Sequence, residues 1–413
     1  MRIAVWHNLP SGGGKRALHD HVRGLVQRGH ELTVWCPPTA DRDFQPLSAF
    51  ATEHVLPLET HRLAAPVRGL LQFANARTRG LERIAAMKAH AAEFGAVVNA
   101  GGYDVVFANS CHWFFTPFAG RDVRIPSLLY LQEPSRWLYE ARPTLPWVAE
   151  DDRPGRWWHP SVIRHWVGSA ARVHSVRVQA REERTSAMAF TRVLVNSRFS
   201  RESVLRALGV EASVCYLGID TERFHPSHGE RGRFVLSVGE FVREKSPLFV
   251  INALARTNAK PDLVWVANRA DQSLVGEAQR LCQAVGVSLT LKVGISDEEL
   301  VDLYRRAFVL VYAPQLEPFG FAPLEANACG TPVIGVAEGG VRETVEHDRT
   351  GLLVDRDLTE TAQAIDLLYK NPDKADNLGR QGAARVREHW TMRVALDRLE
   401  GHLTAVAQRS PVG

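Results

Sequence analysis

Short apolar runs alternate along the chain with stretches whose apolar residues recur every three or four positions. Arg2–His7 is one such run, and it leads directly into Pro10-Ser11-Gly12-Gly13-Gly14. Ala17, Leu18, His21, Val22, Leu25 and Val26 then mark one helical face over Ala17–Arg28. Gly29 stops the helix, and Glu31–Cys36 is the next run. Strand, glycine loop, helix, strand is the opening βαβ unit of a parallel sheet. Leu63 to Ala96 predicts mostly helix. Asp104–Ala108 and Ser127–Tyr130 predict strands buried on both faces.

The alternation restarts after Phe190. Arg192–Asn196 predicts a strand, Arg201–Leu208 a helix and Ser213–Tyr216 a strand, and a connector runs from Gly218-Ile219-Asp220 to Phe224-His225-Pro226. Strands follow at Arg233–Val238, Leu263–Ala267, Leu289–Val293, Phe308–Ala313, Pro332–Val336 and Gly351–Val354, with helices at Gly276–Val285 and Asp297–Ala307. The 413 residues exceed what one hydrophobic core usually serves. The pattern therefore predicts an α/β protein of two Rossmann-like parallel-sheet domains, 1–217 and 218–389, facing a cleft, since open α/β sheets bind ligands at their carboxyl edges. Helical spacing from Trp390 predicts a closing helix (390–413) that packs back on the first domain.

Composition narrows the class. Apolar residues are 45% and charged residues 23%, as in ordinary globular proteins and unlike disordered ones. A net charge of +4 is too small for a nucleic-acid binder. Five cysteines with no Cys-x-x-Cys pair argue against a disulfide framework and a zinc site, and for a reducing compartment. No secretion signal and no apolar window of the ~18 residues that span a membrane can be read, so the expected location is cytoplasmic or peripheral on the membrane's inner face.

Two segments carry candidate chemistry. Ser11-Gly12-Gly13-Gly14-Lys15-Arg16 lies between a strand and a helix, where backbone N–H groups can meet an anion. A tight turn required by the crossing explains the same glycines. The stronger constellation runs from Ala313 to Pro332. It follows a strand, and Pro323 suits the first turn of a helix, which puts Phe319, Gly320, Phe321 and Ala322 at its N-terminus. Donors there can bind a diphosphate. Glu317 and Glu325 flank that position, and ionised carboxylates only accept hydrogen bonds, so sugar or ribose hydroxyls are their expected partners.

Glu317-Pro-Phe-Gly through Glu325-Ala, with Gly330-Thr-Pro-Val and Gly339-Gly340-Val-Arg-Glu343, resembles the signature of the retaining glycosyltransferase family 4 (group 1), enzymes of GT-B fold. The likeness also takes in the Gly12–Gly14 loop, Gly29-His30-Glu31, Val195-Asn196-Ser197, Gly218-Ile219-Asp220 and Ser296-Asp297-Glu298-Glu299-Leu300. The resemblance implies a hexosyltransferase-type enzyme that moves a sugar from a nucleotide diphosphate-sugar, with retention and with neither a metal nor a cofactor beyond that donor. Its acceptor would be a saccharide or lipid-linked molecule, in polysaccharide or glycolipid assembly. By that match Glu317 and Lys245 are catalytic, and Glu317 holds the donor sugar's hydroxyls. Phe319, Gly320, Phe321 and Ala322 meet sugar and diphosphate, and Glu325 holds the ribose. Val293 and Ile295 lie near the base, and Gly13 and Gly14 face the diphosphate from the first domain.

One departure bears on the donor. Where the family has Gly-Arg-x-x-x-x-Lys, this chain reads Gly239-Glu240-Phe241-Val242-Arg243-Glu244-Lys245. A carboxylate ~4 Å from a diphosphate costs on the order of 1–4 kcal/mol. Arg243 is the expected substitute cation; otherwise Glu240 turns away, or donor binding is weak and the chain is a catalytically weak nucleotide-sugar-binding protein. In the first domain His112, Gln132 and Arg136 are acceptor-side candidates. Gln132 stands where similar chains carry His, and an amide cannot act as a base.

Charge and aromatics converge on one window. Ten arginines lie between Arg153 and Arg201 against only Glu182 and Glu183, and five of the ten tryptophans (Trp137, Trp147, Trp157, Trp158, Trp166) overlap it. Val162, Trp166, Ala170 and Val173 recur at helical spacing there. The expectation divides between contact with an anionic membrane and a core-facing stripe beneath a solvated basic face.

Overall fold

Strand β1 (Arg2–Asn8) is buried from Ile3 onwards, which fits its continuous apolar run and places it at the centre of a sheet. The computed structural model describes residues 1–60, 74–141, 144–148, 156–227, 229 and 231–408. Arg153 and the first part of the expected helix at 63–96 lie outside them. The described part of that helix is Ala74–Ala100.

Two units emerge. The first holds Met1–Asn196, Ser200–Cys215 and the chain from Leu396 on; the second holds Ser197–Phe199 and Tyr216–Ala395. In the first unit, β2 (Glu31–Cys36), β3 (Thr52–Val55), β4 (Val105–Cys111), β5 (Ser127–Gln132), β6 (Arg192–Val195) and β7 (Ala212–Val214) join β1 in the order β3-β2-β1-β4-β5-β6-β7. In the second, β8 (Val235–Val238), β9 (Leu263–Ala267), β10 (Leu289–Val293), β11 (Val309–Tyr312), β12 (Val333–Val336) and β13 (Gly351–Val354) run β10-β9-β8-β11-β12-β13. Both sheets are parallel throughout, as in Ile3↔Leu32 and Leu236↔Val264. In each, strand order reverses beside the first strand, between β1 and β4 and between β8 and β11. Open α/β sheets bind ligands outside the carboxyl ends of strands at such a reversal.

Helix ends separate structural elements from candidate ones. Asp271, Ser296 and Asp357 cap the helices Gln272–Val285, Asp297–Arg306 and Leu358–Lys370 through their side chains. The helix Asp297–Arg306 also carries three acids in its first turn and two arginines in its last, as its dipole favours. Helices Gly13–Gln27 and Phe321–Ala328 differ. They start after Gly12 (φ 139°) and Gly320 (φ 97°), with no side-chain cap and no acid in the first turn. Their leading N–H groups have no intrahelical acceptor. These two helices follow β1 and β11, at the reversal points.

The helix Met392–Ala407 reaches the first unit from Leu396 on, where the Leu396 side chain lies against Gly24, and Arg28 bonds Asp397 (2.7 Å) and Glu400 (2.6 Å). Within the first unit, the 29-residue helix Pro160–Met188 has no buried residue before Val176. The stripe Val162, Trp166, Ala170 and Val173 is therefore not core, which corrects that half of the expectation. The five cysteines are all free and buried, so none is a disulfide partner.

Candidate functional site

The loops after β8 and β11 bring Lys245 and Glu317 together. Lys245 Nζ donates to Glu317 Oε2 at 2.6 Å, and both side chains are mostly shielded from solvent. Sequence separates them by 72 residues; the reversal of strand order makes them neighbours.

The Glu317 loop is held by backbone contacts that only glycine permits. A Cβ on Gly339 would lie 2.3 Å from the Glu317 carbonyl oxygen, and one on Gly340 would lie 2.3 Å from that of Pro318. Gly340 N–H donates to the Glu317 carbonyl at 2.7 Å. The Gly339-Gly340 pair is thus the seat of the loop. Arg356 ties the rest: it donates to the carbonyls of Ala313 (3.1 Å) and Pro314 (2.9 Å), to Ser246 Oγ (3.3 Å) and to both oxygens of Glu338 (2.7 and 2.8 Å). Paired this way, the Glu338 carboxyl is held below the usual range. Gln315 N–H reaches the Glu244 carbonyl at 2.8 Å, so the two loops move as one piece.

Glu325 lies on the helix Phe321–Ala328, buried, and accepts from the Tyr304 hydroxyl at 2.7 Å through Oε2. Tyr312, the last residue of β11, packs its ring against Gly320 and is held from ionising first by burial, then by the negative charges of Glu317 and Glu325. Sequence reading missed this tyrosine because it ends an apolar run and reads as core. The Phe319 ring is buried against Phe321 (5.4 Å) and Trp390 (5.7 Å), so its side chain is packing, and Ala322 is buried too. Val293 closes β10 at the sheet's edge, half exposed, with Ile295 two residues on after the left-handed Gly294. The cations sort into separate pairs. Arg243 bonds Glu277 at 2.6 Å, and Arg269 bonds Glu240 at 3.1 Å, so Lys245 is the cation beside Glu317 while the Glu240 charge has a partner of its own.

In the first unit Gly13 and Gly14 open the uncapped helix. Gln132 lies directly against Gly14: a Cβ there would meet its Nε2 at 3.2 Å. Gln132 has φ 62°, a strained conformation for this residue, and its buried Nε2 has no hydrogen-bond partner among the described residues. Strain and an unsatisfied amide beside an anion-type turn mark a place built for a ligand. His112 is exposed, its N–H bonded to the Asn8 carbonyl (2.7 Å), and it lines a cavity of about 680 Å³ with Pro10, Ser11 and Asp41. Arg136 is locally engaged, 2.9 Å from Glu140 and 3.7 Å from Glu133.

Lys15, next to the glycines, was passed over in the sequence. It is wholly buried, and its ammonium has no hydrogen-bond partner among the described residues. Burial lowers its pKa. Nearby, His7, Cys36 and Glu53 put three metal-type ligand atoms within 4.8 Å of one another. Arg42 lies 3.6 Å from Glu53, and the charge of Lys15 acts on His7 and Glu53. Two cations around one carboxylate oppose a divalent ion.

The chain is similar to known proteins over most of its length. Residues 11–223 match the family Glycosyltransferase Family 4, and residues 218–385 match Glycosyl transferases group 1. The chain is 27% identical over 364 residues to the alpha-maltose-1-phosphate synthase of Mycolicibacterium smegmatis, covering 81% of this chain and 87% of that one. It is 38% identical over 206 residues to the D-inositol 3-phosphate glycosyltransferase of Pseudarthrobacter chlorophenolicus, covering 46% and 49%. Anabaena HepE, solved in complex with UDP, matches 98% of this chain and 100% of its own with a TM-score of 0.71 at 17% identity, a likeness of fold.

Proposed function

We propose, because this chain belongs to Glycosyltransferase Family 4, that it moves a hexose from a nucleotide diphosphate-sugar to a saccharide or lipid-linked acceptor. The fold is GT-B, two Rossmann-like sheets, and the chain is a glycosyltransferase. Retention at the anomeric carbon and independence of metal are part of the proposal. The observation that carries it is the Lys245–Glu317 contact beside an uncapped helix start, at the reversal of the second sheet.

Each group then has a task. Transfer breaks the bond between the sugar and the diphosphate, and negative charge grows on the departing phosphate oxygen. The Lys245 ammonium and the first N–H groups of Phe321–Ala328 offset that charge with fixed donors, the logic of an oxyanion site. Glu317 accepts from hydroxyls of the donor sugar and holds the anomeric carbon in place. Glu325, which accepts from the Tyr304 hydroxyl, is assigned to the ribose by the family match. Val293 and Ile295 offer an apolar edge to the base. Gly13 and Gly14 are assigned to the diphosphate, and Gln132 and His112 to the acceptor. Relatives named for making a phosphorylated disaccharide and for glycosylating inositol phosphate support a small polar or phosphorylated acceptor class.

The test is a thermal-shift screen against UDP, GDP and ADP and their sugar derivatives, followed by transfer assays on Glu317→Ala. A ligand at a hundredfold excess over its dissociation constant adds ~2.7 kcal/mol to stability, an easily read shift. Glu317→Ala should lower transfer roughly 10²–10³-fold while the shift with free nucleoside diphosphate persists. If transfer and diphosphate binding fall together, Glu317 does not hold the sugar.

A further inference from the structure

The helix Pro160–Met188 presents a continuous exposed stripe that packing among the described residues does not explain. His159, Ile163, Trp166, Ala170, His174, Arg177 and Arg181 are all exposed, and they recur at four-, three-, four-, four-, three- and four-residue steps, which is one helical face. Trp157 is 77% exposed, Trp166 66% and Trp158 53%. Tryptophan at such exposure gives up a large apolar burial, since each aromatic side chain can bury 150–250 Å². Three together on one helix end are a patch, not scattered surface residues.

Positive charge surrounds the stripe, and Arg177 and Arg181 lie on it. From Arg156 to Arg181 there are five arginines and three histidines and no Asp or Glu. Arg156 stacks on Trp158 at 5.2 Å, so guanidinium and indole already share a site. The apolar side chains cluster at the N-terminal end, and Arg177 and Arg181 lie further along. The other flank of the helix shows the same chemistry. A cavity of about 590 Å³ lies between it and Ala74–Ala100, lined by Leu81, Ile84, Phe114 and Val176, with Arg79 and Arg83 among its lining and no carboxylate.

We propose that the N-terminal half of the helix Pro160–Met188, with Trp157 and Trp158 before it, docks the protein on an anionic lipid bilayer. Indole rings seat at the headgroup level, where an apolar body and a polar N–H are both satisfied, and the arginines meet lipid phosphates. A protein partner with an acidic surface would use the arginines but would not require three tryptophans beyond the reach of the core. No helix among the described residues is long and apolar enough to cross a membrane, so the contact is one of surface attachment. The inference rests on exposure and charge and stands apart from the reading of the donor site.

The test is co-sedimentation of the full chain with vesicles of phosphatidylcholine alone and of phosphatidylcholine with phosphatidylglycerol. The protein should sediment with the anionic vesicles only, with a blue shift of tryptophan fluorescence. The triple variant Trp157→Ser/Trp158→Ser/Trp166→Ser should bind about tenfold or more weakly. Arg156→Gln/Arg177→Gln should lose roughly fivefold per arginine, and added salt should weaken the wild type similarly. Both variants should keep the wild-type circular dichroism and transfer to a soluble acceptor. Absence of sedimentation with anionic vesicles, or equal binding by the tryptophan variant, overturns the proposal. So does a wild-type dimer in solution that the tryptophan variant turns into a monomer, which would put a second copy on the patch.

Discussion

A methyl group at Gly339 would meet the Glu317 carbonyl oxygen at 2.3 Å and its nitrogen at 2.8 Å, on a backbone already at φ +56°. Relief requires moving the Glu317 loop. Gly339→Ala should therefore cost about 1–3 kcal/mol by chemical denaturation and lower transfer more than its stability loss explains. Histidines set a second expectation. His7 and His21 are wholly buried and held neutral, their pKa lowered from 6.5 to about 4 by desolvation. The unfolded chain takes up those protons first, so stability falls as pH drops through the window from 6.5 to 4. The loss is on the order of a few kcal/mol for each histidine. His21→Leu should flatten the slope of melting temperature against pH across that window; an unchanged slope removes His21 from the account. At this scale a motif names Glu317, Glu325 and Lys245, and the structure pairs Lys245 with Glu317 and Tyr304 with Glu325. Tyr312 and Lys15 escaped because one ends an apolar strand and the other follows glycines that already had a reading.

Among elements, strands rich in apolar residues were the easiest to read. Leu263–Ala267, Leu289–Val293 and Gly351–Val354 fall where their apolar runs put them. Strand β3, Thr-Glu-His-Val at a sheet edge, escaped because its side chains are mostly exposed and show neither a run nor alternation. The helix Pro160–Met188 was legible as a helix but ambiguous as to what its apolar side meets, because interfacial and core helices share one period. Arg356 belongs to this scale, since it joins the starts and ends of several loops. Arg356→Met removes the hydrogen bonds to Ala313, Pro314, Ser246 and Glu338. The expected loss is about 1–3 kcal/mol, with faster amide hydrogen exchange confined to residues 313–317 and 243–246. Exchange that rises evenly over the second unit would show a global role instead.

For the molecule as a whole, length and alternation divided the chain near residue 217, and the structure passes between units after Cys215. The return of the chain at Leu396 was expected from a helix with no strand to pair. What sequence did not supply is the pairing of charges. Arg243 was the expected substitute cation, yet it bonds Glu277, and Glu240 bonds Arg269. Such choices depend on side-chain reach across helices, which spacing along a chain does not encode. On the proposed reading, Lys245 beside Glu317 is the charge that meets the donor. The direct measurement is release of nucleoside diphosphate from its sugar derivative by wild type and by Lys245→Ala at equal concentration. The account predicts turnover by the wild type and a loss of about 10²-fold or more in the variant, with circular dichroism unchanged. Equal turnover by the two proteins would contradict it.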